Sequence, residues 1–592
     1  MRIGHGVILL GLLGVVAAPF LLRPRGEAAR SGAWRLVAVS PHGEAIRYEF
    51  ERGFSAWHEA QYGQPVTIEW RNIGGTTEIS RYLDAQMLAS FRQHWTRTLG
   101  RTWSEAIGRA AQDPRLARDK ATPEQWAARE AYLDDAGTPL DCGIDVFFGG
   151  GPFDHNRQAL VGNLARIGIL SDEQDTLPYM PQRFRGEDYY PARLDASGRP
   201  NRAFDRWYGA TLSSFGICYN VDRLAELGVE RPPTRWSDLT DPVYFRKLGA
   251  ADPTKSSTIT KCFEMIVQQA IWEELRKLGI DEAGYVNAAR DRAEDVAAAK
   301  SRGWREGLRT IMLIGANARY FTDWSNKPPI DVSTGDAAVG MCVDFYGRFQ
   351  SQSSVGADGR SRMVFLNPYD PETGLGGSSV NADPVSVLRM NVERDPDRPY
   401  RYELARRFVA YCLDPASQRL WMYRAGAPGG PIRYTQRRIA TRTDFYTEEN
   451  RAHMADPDLN PYQMKEFLHY HEEWTSPLFN SLRVLIRCMC LDALEELRGG
   501  WEAILVAGGP DARPDALAAL TNLPTFEMTV GGETVEVSLE YGAGMEQFGR
   551  LLRRDAVTQL EVTERLTLAF RRQYEEARRL VSRGPATTET GR

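Results

Sequence analysis

The residues of this chain best suited to chemistry are small, polar and grouped in short turns. Ser40-Pro41-His42 follows an apolar run, Gly74 to Thr77 precedes an amphipathic one, and Gly149-Gly150-Gly151 ends the segment DVFF. Ser213-Ser214 interrupts another apolar run, and Asp252 to Thr258 leads into a long amphipathic stretch. Hydroxyls and open backbone N–H groups suit the capture of a polar or anionic solute, because a helix start offers free donors and the positive end of a dipole. The candidate contacts are therefore Gly75, Thr76, Thr77, Gly150, Gly151, Ser213, Ser214, Ser256, Ser257 and Thr258. Any one such turn also reads as a plain N-cap, where Ser and Thr are common. Five of them at the ends of successive predicted strands favour binding, since ligands of open α/β sheets sit beyond the carboxyl ends of strands.

Motifs for covalent chemistry are missing. The chain has no GxxxxGK[ST] phosphate loop, and Gly149 to Gly151 do not complete a dinucleotide fingerprint. No GxSxG elbow is present, and Tyr62 stands where a zinc protease begun at His58-Glu59 needs its second histidine. The expectation is a binding protein and not an enzyme. Cys488 and Cys490 are two apart and lack the further ligands of a zinc site. The other five cysteines are isolated, most of them in apolar runs, and read as small core residues.

The elements that must position these turns alternate. WRLVAVS (34–40) reads as a strand, and Ile46, Phe50, Phe54 and Trp57 then fall at helical spacing up to Gly63. PVTIEWRNIG predicts a strand and GGTTEISRYLDAQML a helix, a run that points to a parallel α/β sheet. Residues 91–140 are charged and helical, with Thr122 and Gln125 spaced as a capping box, and read as an insertion. DVFF, 211–220, 336–347 and 382–390 are further strands; 258–278 and 403–413 are helices; 526–541 is a hairpin. With 592 residues and 42% apolar content the chain has room for three to five globular units. Its 73 basic and 78 acidic residues give a net charge of −5, which argues against a nucleic-acid partner. Residues 7–22, VILLGLLGVVAAPFLL, predict export, so residues 1–30 are a signal peptide or a membrane anchor at the inner membrane.

Several longer segments then carry a resemblance. They are SPHGEAIRYEFERGF, DVFFGGG, FGICYNVDRLAELGVERPPTRWSDLTDPVYFRKLGAADPTKSST, STGDAAVGMCVDFYGR, DPVSVLRM and ELARRFVAYCLDPASQRLW, in that order. On these the chain resembles the type II periplasmic solute-binding proteins of ABC importers, in the branch related to ferric-ion-binding proteins. The resemblance implies an α/β, two-lobe fold with crossing hinge strands. Lobe 1 would be 31–210 with the insertion 91–140, lobe 2 would be 211–379, and 380–440 would return to lobe 1. It leaves a mostly helical C-terminal extension at 441–580 and a disordered tail at 581–592. It implies a periplasmic protein that closes on a small solute and delivers it to an ABC permease and its ATPase. A tethered sensor or scaffold with 440–592 as its docking region is the alternative from another class, and a hydrolase on similar lobes is a third.

Ferric-binding members use a histidine, a glutamate and two adjacent tyrosines. By the same resemblance His42 takes the histidine position, Gly150 the glutamate position, and Phe345-Tyr346 the tyrosine pair, with Asp344 one residue earlier able to supply an oxygen. His42, Asp344 and Tyr346 are thus the metal candidates, with Fe3+ as transported ligand and no certain cofactor. Two of the four usual side chains are lost, and a hard ferric ion wants several anionic oxygens. The altered pocket suits a small anion, a phosphorylated or carboxylated compound, or a metal chelate, with Arg319 and Tyr346 as contacts.

Overall fold

The computed structural model describes residues 33–195 and 197–583. The expected signal peptide or anchor and residues 584–592 of the expected tail lie outside the described residues. Nine strands share one sheet: β1 (Trp34–Val39), β2 (Val66–Arg71), β3 (Val146–Phe148), β4 (Trp207–Asn220), β5 (Leu248–Ala251), β6 (Ala318–Thr322), β7 (Val339–Val343), β8 (Met363–Leu366) and β9 (Val380–Val387). Their order is β2-β1-β3-β9-β4-β7-β5-β6, with β8 paired to β4.

That order contains one unit twice. β2, β1 and β3 are parallel and lie against antiparallel β9; β6, β5 and β7 are parallel and lie against antiparallel β4. The sheet is therefore mixed and not wholly parallel, because the two crossing strands run against their neighbours. β4 shows the crossing within one strand. Through Ser214 it pairs with β9 of the first lobe, and from Phe215 it pairs with β7 of the second. Its 14 residues are buried except for Tyr219, which is half-buried, so the strand can pass through both cores.

The flanking helices follow the apolar spacing. Helix Glu44–Tyr62 buries Ile46, Phe50 and Phe54 and stops at Gly63, whose φ of 74° lies in the left-handed region. The 91–140 segment folds onto the first lobe with helices Glu105–Gln112 and Pro123–Leu133, and the Thr122–Gln125 capping box is formed. One expected strand is shorter than the sequence suggests. β7 ends at Val343 and helix Asp344–Ser353 begins at once, with the Asp344 carboxylate accepting from the Phe345 N–H at 2.9 Å.

The C-terminal region divides between the lobes. Phe445, Met454, Leu459 and Phe467 belong to the first lobe's core, whereas the chain from Leu468 onward shares a single core with the second lobe. Helices Phe479–Ile486, Leu494–Val506, Pro514–Thr521 and Ala556–Ser582 build that part. Strands Phe526–Val530 and Glu533–Val537 form the expected hairpin, turning at Gly531-Gly532. The Trp304 indole N–H donates to the Leu539 carbonyl at 2.9 Å, and Trp501 donates to the Asn317 side chain at 2.9 Å. All seven cysteines are free thiols and all but Cys142 are buried, as their apolar settings suggested. Among the described residues no helix is long and apolar enough to cross a membrane.

Candidate functional site

A cavity of about 760 Å³ lies between the lobes, at the carboxyl ends of the parallel strands. Besides the C-terminal helices, five helices of the two lobes begin on it. Those starting after Gly43, Gly75 and Gly151 come from the first lobe; those starting after Ser256 and Val343 come from the second. At Gly43, Gly75 and Gly151 no side chain caps the helix; after Val343 the Asp344 carboxylate already takes the Phe345 N–H, and at the fifth start Ser256 Oγ accepts from the Ile259 N–H at 3.4 Å. First-turn N–H groups are thus left for whatever enters the cleft. Gly150 has a φ of 114°, and a Cβ there would stand 2.6 Å from Thr76 Cγ2, so only glycine lets these two turns meet.

The floor of the first lobe is a charged knot. His42 Nε2 lies 3.0 Å from Asp383 Oδ2 and 3.1 Å from a guanidinium nitrogen of Arg438. Arg438 also pairs with Asp383 and donates to Ser213 Oγ at 2.6 Å, and its plane lies 4.3 Å from the Phe345 ring centre. The second carboxylate oxygen of Asp383 accepts from the Gly150 N–H at 2.7 Å. Burial alone would raise the Asp383 carboxyl, but Arg438 and His42 hold it well below the ordinary carboxylate range. Burial pulls the His42 imidazole down, and that outweighs the opposing pull of Asp383.

A second cluster closes the other side. Lys261 Nζ sits 2.9 Å from Glu187 of the first lobe and 3.0 Å from Glu264 of the second, over the Tyr470 ring at 3.5 Å. Burial alone would lower this ammonium, yet the two carboxylates raise it. Eight acidic residues line the cleft, but most are already committed: Glu187 and Glu264 to Lys261, Asp383 to Arg438, and Asp188 and Glu472 to Arg183. Arg47 and Lys255 line it from opposite lobes with no ion-pair partner among the described residues. Trp324, 59% exposed, stands at its edge.

The cleft brings together His42, Gly75, Thr76, Gly150, Gly151, Ser213, Ser256, Ser257, Thr258 and Tyr346. Four other candidates face elsewhere. Thr77 Oγ1 accepts from Arg483 at 2.9 Å, and Ser214 Oγ accepts from Asn367 at 2.9 Å. Arg319 is exposed on β6 and donates to the Asp336 carbonyl. Asp344 is fully buried and pairs with Arg348 at 3.2 Å. His42, Asp344 and Tyr346 therefore do not meet at one point, and among the described residues no three His, Cys, Asp or Glu side chains gather to hold a metal ion. Sequence reasoning missed Asp383, Arg438, Lys261 and Glu187. Asp383 left a signal, a carboxylate inside the apolar strand ADPVSV; Arg438 sits in the polar run RYTQRR and left none.

Comparison with known proteins bears on this cleft. Residues 187–313 match the family of bacterial extracellular solute-binding proteins, a stretch that contains Glu187, the crossing strand β4, Ser256 and Lys261. The two-lobe sheet joined by crossing strands agrees with the fold that the resemblance implied. A relative from Haemophilus influenzae, described only as an uncharacterized protein, is 28% identical over 130 residues, which is 22% of this chain and 32% of that one. The chain thus spans about a third of the length of this curated relative. Solved structures similar to it include the periplasmic binding protein AfuA from Actinobacillus pleuropneumoniae with fructose-6-phosphate bound, at 15% identity and a TM-score of 0.46, covering 77% of this chain and 98% of that one. Apo ferric ion-binding protein A from Pasteurella haemolytica is similar at 10% identity and a TM-score of 0.42, covering 77% and 98%.

Proposed function

We propose that this solute-binding fold closes on a small anionic solute in the periplasm and delivers it to an ABC permease and its ATPase, held near the inner membrane where residues 7–22 remain as an anchor. One observation carries the choice of an anion: three helix starts without a side-chain cap, all from the first lobe, open onto the cavity opposite Lys255 of the second. Each offers N–H donors and a positive dipole end, and Arg47 and Lys255 add unpaired cations from the two lobes. A phosphorylated or carboxylated compound that touches both sets favours the closed form, because only differential affinity shifts a two-state equilibrium. A bare ferric ion fits poorly, since His42 is engaged by Asp383 and Arg438. A ferric chelate that presents carboxylates remains within the same chemistry. The test uses protein lacking residues 1–30: native mass spectrometry of co-purified ligand, then tryptophan fluorescence titrations with inorganic phosphate, a hexose phosphate, citrate, ferric citrate and ferric ion. Anions are expected to change the emission of Trp207 and Trp324, which line the cleft. A co-purified cation or neutral compound, with no response to any anion, overturns the reading.

A further inference from the structure

The chain crosses between the lobes a third time, beside the two strands. Leu468 N–H donates to the Ser378 carbonyl at 2.8 Å, Tyr470 N–H donates to the Arg185 carbonyl at 2.9 Å, and Arg185 donates to the Phe467 carbonyl. Beyond this crossing Tyr470, Glu472, Ser476 and Phe479 line the cleft itself. Helix Phe479–Ile486 is rooted in the second lobe's core through Leu482, Leu485 and Ile486. From that root it reaches the opposite lobe at two points. The Phe479 ring packs on Phe153 with centres 5.1 Å apart, and Arg483 donates to Thr77 Oγ1 at 2.9 Å. Arg483 is 8% exposed and is fixed at its base by the Pro253 and Thr254 carbonyls at 2.8 and 3.1 Å.

We propose that the C-terminal region is a third wall of the solute cleft, and that Phe479 and Arg483 are positioning residues which clasp Phe153 and Thr77 and so limit how far the lobes part. A hinge made of two crossing strands can bend freely at Ser214–Phe215 only if nothing else spans the gap, and here a helix anchored in one lobe holds the other. Separating the lobes breaks a buried charge-assisted hydrogen bond and an aromatic contact together. The span of the cleft, and hence the size of solute it closes on, is then set by the C-terminal wall as well as by the hinge. The inference rests on the reading of the cleft as a solute site, but its test needs no solute.

Fluorophores on cysteines introduced at Glu124 of the first lobe and Val286 of the second report the lobe separation in the unliganded full-length protein. Both positions are exposed, whereas Cys142, the one native thiol that is only half-buried, competes weakly because desolvation pushes its pKa up to about 12. The native clasp predicts one narrow distance distribution. Arg483→Met also removes donors from two second-lobe carbonyls, so the deciding variant is Thr77→Val with Phe153→Ala, which leaves the second lobe untouched. With an unchanged circular-dichroism melt, that variant is expected to broaden the distribution and shift it to longer distance. An unchanged distribution in both variants overturns the clasp. Anion titration of the same proteins fails separately if the solute reading is wrong, while the distance result stands.

Discussion

Arg438 is 1% exposed in side-chain terms and is balanced by one carboxylate, Asp383. Removing one partner of a buried pair leaves the other charge uncompensated, which costs about 3–5 kcal/mol. Asp383→Asn is therefore expected to lower unfolding free energy by about that amount in urea titrations at pH 7, although the amide keeps the bond from Gly150. The same pair dictates an acid limb. Asp383 is held below the ordinary carboxylate range, so its contribution is present above the unfolded pKa and is lost as pH falls toward the folded one. Asp154 behaves in the opposite sense. Burial raises it from 3.8 to about 6, against Arg483 of the C-terminal wall, Arg157 on its own helix, and the hydroxyls of Ser80 and Ser257. A raised carboxyl favours the fold below its unfolded pKa and loses that advantage as pH rises through about 6. At roughly 1.4 kcal/mol per pK unit the ionised form costs up to about 3 kcal/mol above pH 6. Asp154→Asn should then stabilise the protein at pH 8 and not at pH 4, as thermal melts at the two pH values will show.

At the scale of elements the helix starts depend on turns that only glycine allows. Gly150→Ala combines a φ of 114° with a Cβ 2.6 Å from Thr76 Cγ2, so it should move the starts of two helices apart. The expected result is a loss of about 1–3 kcal/mol of stability together with at least tenfold weaker binding of whichever anion titrates the native protein. Calorimetry on the same sample reads both. This explains what the sequence could and could not reveal. Helix 44–62 and strands β1, β2 and β3 were legible because Ile46, Phe50 and Phe54, or Val66 and Ile68, repeat at the period of a local structure. The helix starts at Gly75 and Ser256 were legible for the same reason, whereas the helix after Gly151 was not read from the sequence, where only a turn was expected. Lys261, three residues before Glu264, reads as a solvated pair on a helix surface, and only tertiary packing buries it under Tyr470. Asp344 failed in the reverse direction. Its place beside Tyr346 suggested the cleft, but β7 ends one residue before it and the new helix turns the carboxylate inward to Arg348.

At the scale of the whole molecule the C-terminal region is not an appendage to a finished two-lobe protein. Trp272 and Trp304 of the second lobe are each about 1% exposed or less, and the atoms that cover their indole N–H groups are the His469 and Leu539 carbonyls. Gly315 faces Cys490 so closely that a Cβ would stand 2.7 Å from its sulfur, and Gln268 is bonded to Thr475 and to the His471 backbone. Helices Ser257–Lys277 and Ala293–Asn317 therefore have an apolar face that the chain from Leu468 onward covers. A chain ending at Phe467 would expose that face and leave the Asn317 side chain without its Trp501 partner. Burial of a large apolar side chain contributes about 1.5–3 kcal/mol, so the loss of several such contacts is comparable to the whole 5–15 kcal/mol by which a domain is usually stable. Deletion of 468–592 is accordingly expected to give insoluble protein, or soluble protein in which the second lobe lacks hydrogen-exchange protection while β1, β2 and β3 keep theirs. A soluble truncation with both lobes protected would show that the two-lobe core closes its own surface, and that the C-terminal region was added to a complete fold.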